Sequence, residues 1–237
     1  MQQAMNYQTR RAEDKTIESE RRTKNLEQAP VDITPQNGKN FFWSNGKQNI
    51  DEIENEYSFK KVTVRGMFDF TKEVQVEKDR NGEKGVQIVV PFYTHLNEKG
   101  EPCAILVNRG WVPYDLKNYN MHSKGVQSGE ITGILYRGEN KNKYSKPNTP
   151  IEHEFTRVEP YDIAVYNQLK NWEEASKFML YQYDNDQEHR QILPTLPTAA
   201  ELAQWKVSAE RHQAYANMWK YLTFGGVVAN TALWLYF

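Results

Sequence analysis

Between residues 57 and 137 the sequence repeats one pattern, in which short runs rich in apolar residues are separated by polar turns. The turns are marked by Asp79-Arg80-Asn81-Gly82 and by residues 97–100, where asparagine and glycine favour reversal of the chain. The strand candidates are Tyr57–Phe70, Gly85–Tyr93, Cys103–Val107 and Gly129–Arg137. Because such spacing is typical of neighbouring antiparallel strands, it predicts a β-rich α+β fold with a small antiparallel β-barrel or sandwich.

This β-rich domain is expected to occupy residues 41–197, with a helix near Pro160–Trp172 and a last strand at Phe178–Tyr183. Residues 1–40 form a polar N-terminal arm, extended or helical. A helix over about Arg10–Glu27 has no apolar stripe, so we expect the arm to lie along a partner. Residues 198–237 are predicted to be a C-terminal helical region, because Thr198 and Glu201 have the spacing of a capping box.

The C-terminal end is uncharged after Lys220 and reads YLTFGGVVANTALWLYF. This run is about 25 Å of helix at about 1.5 Å per residue, and adding Ala216–Trp219 brings it to the thickness of a bilayer core. Trp219, Tyr221 and Trp234 lie near its ends, where interfacial aromatic residues are common. The pattern favours a single transmembrane helix at about 216–237, and a buried core helix is the alternative.

Composition narrows the function classes. The chain has 237 residues and a formal net charge of −1, which predicts no binding to nucleic acid. Its single cysteine, Cys103, excludes an internal disulfide and a cysteine-based zinc site, and is expected to be a buried thiol. None of the five histidines falls in a metal-binding motif, and the sequence has no nucleophile or phosphate-loop motif. We therefore predict no metal site and no catalytic residue.

One stretch, AILVNRGWVPYD from Ala104 to Asp115, changes abruptly from an apolar strand to polar and bulky residues. A catalytic Arg109 would need a nucleophile, base or bound anion that the sequence does not supply. The structural interpretation is a corner of the fold. Gly110 allows a close approach, Trp111 supplies a large buried ring and Pro113 ends strand pairing. Arg109 is then expected to stack on an aromatic ring or to pair with a carboxylate.

A second candidate site begins at His212 in the stretch HQAYANMW. His212, Tyr215 and Trp219 are spaced i, i+3 and i+7, so they share one side of a helix. A neutral histidine beside aromatic residues suits an axial ligand of haem iron. The alternative is a histidine that only caps or packs against the rest of the protein.

Several blocks together resemble the Surfeit locus protein 1 family of cytochrome c oxidase assembly factors. ILVNRGWVP, with Asn108, Arg109, Gly110, Trp111 and Pro113, is similar to the family signature. VTVRGMFDF and GVQIVVPF resemble the strand blocks before it, and GEITGILYRGEN followed by KPNTP (Pro147, Asn148, Pro150) resembles the block after it. RHQAYANMW resembles the family's "H-x-x-Y-A-x-x-W" entry into its last helix. The resemblance covers about residues 56–237.

The resemblance implies a protein of the mitochondrial inner membrane, single-pass, with its soluble domain in the intermembrane space. Its implied partners are the core and accessory subunits of cytochrome c oxidase (respiratory complex IV) and inner-membrane lipid. The family is linked to delivery of haem a, and His212, with Tyr215 and Trp219 beside it, is the matching position. Haem iron would then be held and not used for turnover.

Two departures from the family bear on function. The family has a membrane helix at each end of its domain, and only the C-terminal one has a counterpart here. Phe155 stands in the region where the family has a tryptophan after P-N-x-P. Together with the polar arm, the missing helix favours a resident accessory subunit of the oxidase over a transient factor that binds and delivers haem a. A third possibility is a tail-anchored β-domain with an unrelated binding role.

Overall fold

A computed structural model describes residues 2–35, 38–44, 46, 49–117, 128–139, 146–183, 193–198, 201–202 and 208–236. The chain divides into two units, which are taken separately below. The barrel unit is Asn25–Thr198, and the helical unit combines Met1–Lys24 with Ala199–Phe237. Residues 184–188, together with His122 and His189, lie outside the described residues.

The barrel unit is built on seven strands in one sheet. In chain order the strands are β1 Val31–Asp32, β2 Lys61–Phe68, β3 Val74–Glu77, β4 Gly85–Leu96, β5 Pro102–Pro113, β6 Ser128–Tyr136 and β7 Met179–Gln182. The order across the sheet is β1-β2-β6-β7-β5-β4-β3, and a further pairing of β2 with β4 closes a ring of five strands. Pairing is antiparallel except for β1 with β2 and β5 with β7, which are parallel. The sheet is therefore a closed, mixed barrel.

Alternation along the strands sorts the apolar side chains into two cores. The first core includes the fully buried Val62, Ile88, Phe92 and Leu180. The second lies where α4 (Pro160–Tyr166) and α5 (Trp172–Ala175) pack on the sheet, and its centre includes Leu106, Ile163 and Met179. Residues of opposite parity on β5, such as Leu106 and Val107, belong to different cores.

Two short helices precede β2 and extend the first core. They are α2 (Phe41–Ser44) and α3 (Ile50–Tyr57). Asn49 caps α3, because its side chain accepts a hydrogen bond from the Asp51 amide at 3.0 Å. Phe42 and Tyr57 meet edge to face with ring centroids 5.2 Å apart. The sequence pattern predicted a strand from Tyr57, but tertiary packing places Tyr57 at the end of a helix, and the strand begins at Lys61.

The helical unit contains two long helices, α1 (Gln2–Glu27) and α6 (Ala209–Tyr236). Ser208 begins α6 by accepting a hydrogen bond from the Arg211 amide at 3.3 Å. On α1 the buried or half-buried positions recur at alternating spacings of three and four residues: Met5, Gln8, Ala12, Lys15, Ser19 and Arg22. Such spacing is that of a helix seam, although most of its side chains here are polar.

The prediction of a single C-terminal transmembrane helix at about 216–237 is wrong. In the part of the chain that the structure describes, no helix is long and apolar enough to span a bilayer. The physical reason lies in the composition of α6, where Asn217, Lys220, Thr223 and Thr231 interrupt the apolar residues. The fold prediction therefore fails in its membrane part, while the β-rich domain has the form of a barrel.

Candidate functional site

The residues from Asn108 to Pro113 form the second half of β5, which continues to Pro113. Its pairing with β4 changes register between Gln87 and Val89, so the strand bends without leaving the sheet. Trp111 also pairs with Thr195, donating its amide at 3.0 Å and accepting the Thr195 amide at 2.7 Å. This half-strand is therefore enclosed by backbone on both sides.

Arg109 is buried, with 8% of its surface exposed. Its guanidinium carbon lies 5.0 Å from the centre of the Phe68 ring and 4.9 Å from the centre of the Phe70 ring. Burial lowers the pKa of Arg109, and the negative charge of Glu73 opposes that shift. The stacking on aromatic rings that the sequence indicated is present, and Glu73 contributes an electrostatic attraction. The Arg109 guanidinium is therefore stabilised by neighbouring side chains of the barrel unit.

Gly110 and Trp111 depend on close backbone approaches. Gly110 has a φ of +117°, and a Cβ atom added to it would lie 2.6 Å from the Thr195 carbonyl oxygen. The Trp111 ring lies against Gly85, where any side chain would collide with it. Its indole Nε1–H donates to the Lys78 carbonyl at 2.7 Å. Only glycine fits at these two positions, because a side chain at 85 would collide with the buried Trp111 ring and one at 110 would collide with the Thr195 backbone.

Asn108 is fully buried at the centre of a polar network that the sequence did not indicate. Its Oδ1 accepts from the Gly110 amide at 3.0 Å, and its Nδ2 donates to Gln87 Oε1 at 3.2 Å. Gln87 in turn donates to the Tyr181 hydroxyl at 2.9 Å. Burial raises the pKa of Tyr136, whose hydroxyl lies 3.5 Å from Asn108 Nδ2. Both polar atoms of the Asn108 side chain are thus used in hydrogen bonds inside the barrel unit.

Asn148, between Pro147 and Pro150, organises the loop before α4. Its Oδ1 accepts from the amides of Thr156 and Arg157, both at 2.9 Å. Its Nδ2 donates to the Arg157 carbonyl at 3.1 Å and to Asp162 Oδ2 at 2.9 Å. One side chain therefore ties the loop to itself and to α4.

His212 lies near the start of α6 and is half-buried. Its Nδ1 is 2.7 Å from Oε1 of Gln8 on α1. With the amide in this orientation Oε1 can only accept, so Nδ1 donates to it and Nε2 is the ring nitrogen left to meet another group. Nothing in the sequence near residue 8 indicates this partner. An imidazole nitrogen is a donor of the type that can hold a haem iron, so His212 would be the residue to hold one.

The aromatic neighbours of His212 differ in their surroundings. Trp219 is half-buried, whereas Tyr215 is 40% exposed. One side of α6, which includes Ala214, Met218, Tyr221 and Gly225, is an open and mainly apolar surface. At about 100° per residue these four positions lie on the side of the helix away from His212. The apolar surface and the candidate ligand therefore face different directions.

The remaining histidines and the cysteine of the described chain do not form a metal centre. No group of three or more His, Cys, Asp or Glu side chains among the described residues is arranged to hold a metal ion. Burial lowers the pKa of His95 and raises the pKa of the Cys103 thiol. His153 contacts the Tyr166 hydroxyl through Nδ1 at 2.5 Å. Cys103 is buried, as a strand thiol is expected to be.

Comparison with known proteins agrees with the family resemblance seen in the sequence. The family model described as "SURF1 family" matches residues 6–224, which reaches further toward the N-terminus than the resemblance traced from about residue 56. "Surfeit locus protein 1" of Xenopus tropicalis is 33% identical over 113 residues, covering 40% of this chain and 36% of the relative. The mouse (Mus musculus) protein of that name is 33% identical over 116 residues, covering 42% and 36%. The human (Homo sapiens) protein is 31% identical over 117 residues, covering 42% and 37%. The matched stretch thus spans little more than a third of each relative's own length.

Proposed function

We propose that this chain, which belongs to the SURF1 family, acts in the mitochondrion as a component of cytochrome c oxidase and supports assembly and stability of its haem-containing core. The observation that carries the proposal is the family match, which spans the barrel unit and parts of both α1 and α6. Its place is then at the inner membrane, where the oxidase resides, with the barrel unit in the intermembrane space.

A resident accessory subunit is favoured over a transient factor by the surface of α6. Large apolar side chains there are strongly exposed, with Tyr221 at 75%, Phe224 at 70%, Trp234 at 83% and Leu235 at 84%. Exposed apolar patches of this kind mark interaction surfaces, and long-lived protein interfaces are the more apolar ones. A permanently bound subunit of the complex would keep this surface covered, whereas a factor that leaves would expose it repeatedly.

The N-terminal arm fits the same role. On α1, Tyr7 is 57% exposed and Ile17 is 66% exposed, and both lie on a helix whose remaining surface is largely polar. A long helix of this composition offers a broad, partly polar contact to a neighbouring subunit. We therefore propose that α1 is a partner-bound arm, whereas residues 31–33 of the expected arm belong to the barrel, where Val31 and Asp32 pair with β2 and Ile33 is buried in the first core.

The role is one of binding, not catalysis. Arg109, Asn108 and Trp111 are engaged in contacts that hold the barrel together. Residues committed in this way support the fold and do not face a substrate. We therefore propose no enzymatic activity and no nucleic-acid partner.

The deciding experiment is a copy-number measurement on oxidase purified from mitochondria in mild detergent. Quantitative mass spectrometry with labelled peptides of this chain should give one copy for each mature, active oxidase. Recovery only with immature core subunit would contradict the accessory-subunit role. Recovery with neither form would contradict the oxidase role as a whole.

Haem a binding is the second candidate function, and the Gln8–His212 hydrogen bond favours it. That bond leaves Nε2 of His212 available to an iron, with Trp219 on the same side of α6. When bound, the haem would supply an iron that accepts the imidazole lone pair. Titrating haem into the purified chain should produce a Soret band that is lost in His212→Ala, whereas Gln8→Ala should only weaken binding. A wild-type chain without a Soret band would end this candidate.

A further inference from the structure

The loop between residues 146 and 157 holds one large aliphatic side chain out in solvent. Ile151 is 95% exposed, in a short 3-10 turn formed by Pro150–Glu152. The turn is closed by Thr149 and Glu154, which exchange backbone hydrogen bonds of 2.9 and 3.2 Å. An isoleucine so exposed contributes almost nothing to the core, so its position needs another explanation.

The loop beneath Ile151 is firmly held. The four hydrogen bonds of Asn148 connect it to Thr156, Arg157 and α4. The Thr156 hydroxyl donates to the Lys146 carbonyl at 2.9 Å. A side chain presented on a rigid support loses little conformational freedom when it binds, which is the property of an interface anchor.

Other exposed apolar side chains lie on the neighbouring elements. Tyr161 and Val165, one turn apart on α4, are 50% and 46% exposed, and Trp172 is 40% exposed. The Tyr161 and Trp172 rings meet edge to face at 5.9 Å. The turn that carries Ile151 packs on α4. Among the described residues the barrel unit exposes seven large apolar side chains, and these four are more than half of them.

The charges around this surface are mainly negative. Glu152 and Glu154 flank the exposed turn, and Asp162 lies on α4 between Tyr161 and Val165 in sequence. Lys146, in the same loop, pairs with Glu154 at 3.1 Å, and the buried Arg157 pairs with Glu159 at 3.0 Å. Because these two pairs are balanced, Glu152 and Asp162 give the described part of this loop and α4 an excess of negative charge. A complementary partner has to carry lysine or arginine around an apolar socket.

We propose that Ile151, together with the exposed side of α4 and Trp172, forms a docking surface for a protein that presents an apolar socket rimmed by lysine or arginine. We call it the Ile151 surface. Ile151 enters the socket, the aromatic residues widen the contact, and the carboxylates fix its orientation. The surface belongs to the barrel unit and is separate from the α6 surface on which the accessory-subunit role rests.

A photo-cross-linking experiment tests this in intact mitochondria, with the full chain. Benzoylphenylalanine replaces Tyr161 on the Ile151 surface, or Tyr114, which is 44% exposed elsewhere on the barrel unit, as the matched control. Position 161 should give one product, mapped by mass spectrometry to a peptide with apolar residues flanked by lysine or arginine. Position 114 should not give it. Ile151→Ser should lower the yield at least tenfold, whereas Leu96→Ser, at a 59% exposed site, should not change it.

Three results would overturn the inference: equal products from positions 161 and 114, a mapped site without basic residues, or lipid as the only product at 161. An unchanged yield in Ile151→Ser would do the same, provided that its thermal unfolding matches the wild type. The proposed function is judged separately by copy number. A basic, apolar target outside the oxidase would support the docking surface while contradicting the oxidase role.

Discussion

Replacing Gly110 by alanine is the most direct test of how the signature segment is built. Gly110 has a φ of +117°, and its missing side chain leaves room for the backbone of residues 194 and 195. A Cβ atom would lie 2.6 Å from the Thr195 oxygen and 3.0 Å from its carbonyl carbon. Both are backbone atoms, so neither can move aside as a flexible side chain does. The substitution must therefore strain residue 110 and displace the backbone at Thr195.

The size of the effect follows from two contributions. Holding a residue with a side chain at a positive φ costs about 1–3 kcal/mol. Displacing Thr195 weakens its two hydrogen bonds with Trp111, of 3.0 and 2.7 Å. Each such bond contributes about 0.5–1.5 kcal/mol net. Gly110→Ala should therefore lower the free energy of unfolding by up to about 2–6 kcal/mol, a large part of the 5–15 kcal/mol typical of a domain.

Gly82→Ala is the matched control, because Gly82 has a φ of +85° but no atom within 4 Å of an added Cβ. Gly82→Ala should lower the free energy of unfolding only by the cost of holding a side chain at a positive φ, about 1–3 kcal/mol. Urea unfolding followed by circular dichroism measures both variants, and thermal unfolding should separate them by about 2–4 °C for each kcal/mol of difference. Equal losses in Gly110→Ala and Gly82→Ala would refute the claim that close approach to Thr195 makes this glycine necessary.

Two further predictions concern the elements around α4. Asn148→Ala removes the side-chain oxygen that accepts from two backbone amides. It should lower the free energy of unfolding, measured in urea, by about 2 kcal/mol. An unchanged unfolding midpoint would contradict the role given to Asn148. Burial raises the pKa of Glu174, so its contribution to stability is present below the ordinary glutamate pKa and is lost as pH rises through the raised folded value. Glu174→Gln should therefore gain stability relative to wild type across that pH window in thermal unfolding scans, and a gap that is constant with pH would count against this.

Much of the barrel could be predicted from the sequence because its information is local. Alternation located β2, β4, β5 and β6, and the Asn81-Gly82 turn is present with both residues at positive φ. The ends of these strands were harder to place. β5 continues to Pro113 because β4 pairs with it that far after a shift in register between Gln87 and Val89. Thr195, far along the chain, adds two hydrogen bonds to Trp111, and sequence alternation indicates neither the shift nor this partner.

The helical unit was harder to predict, for opposite reasons at its two ends. On α1 the half-buried positions include Gln8, Lys15 and Ser19, so a search for apolar residues finds no stripe although the seam is there. At α6 the absence of charge suggested a membrane helix, while its threonine and asparagine residues keep the average hydropathy below what a span requires. Absence of charge alone is a weaker signal than sustained apolarity.

The placement of the signature residues limits what family membership can reveal. Asn108, Arg109 and Trp111 direct their side chains into the fold, and Asn148 fastens a loop. A motif that is required for folding persists whether a protein leaves the oxidase or stays bound to it, so it cannot distinguish a factor from a subunit. Features that distinguish a transient factor from a resident subunit must therefore lie on the protein surface. The exposed residues of α6 and the Ile151 surface are such features, and neither includes a residue of the Asn108–Pro113 signature. Variants on these surfaces should change association while leaving the free energy of unfolding intact, and variants of the signature should do the reverse.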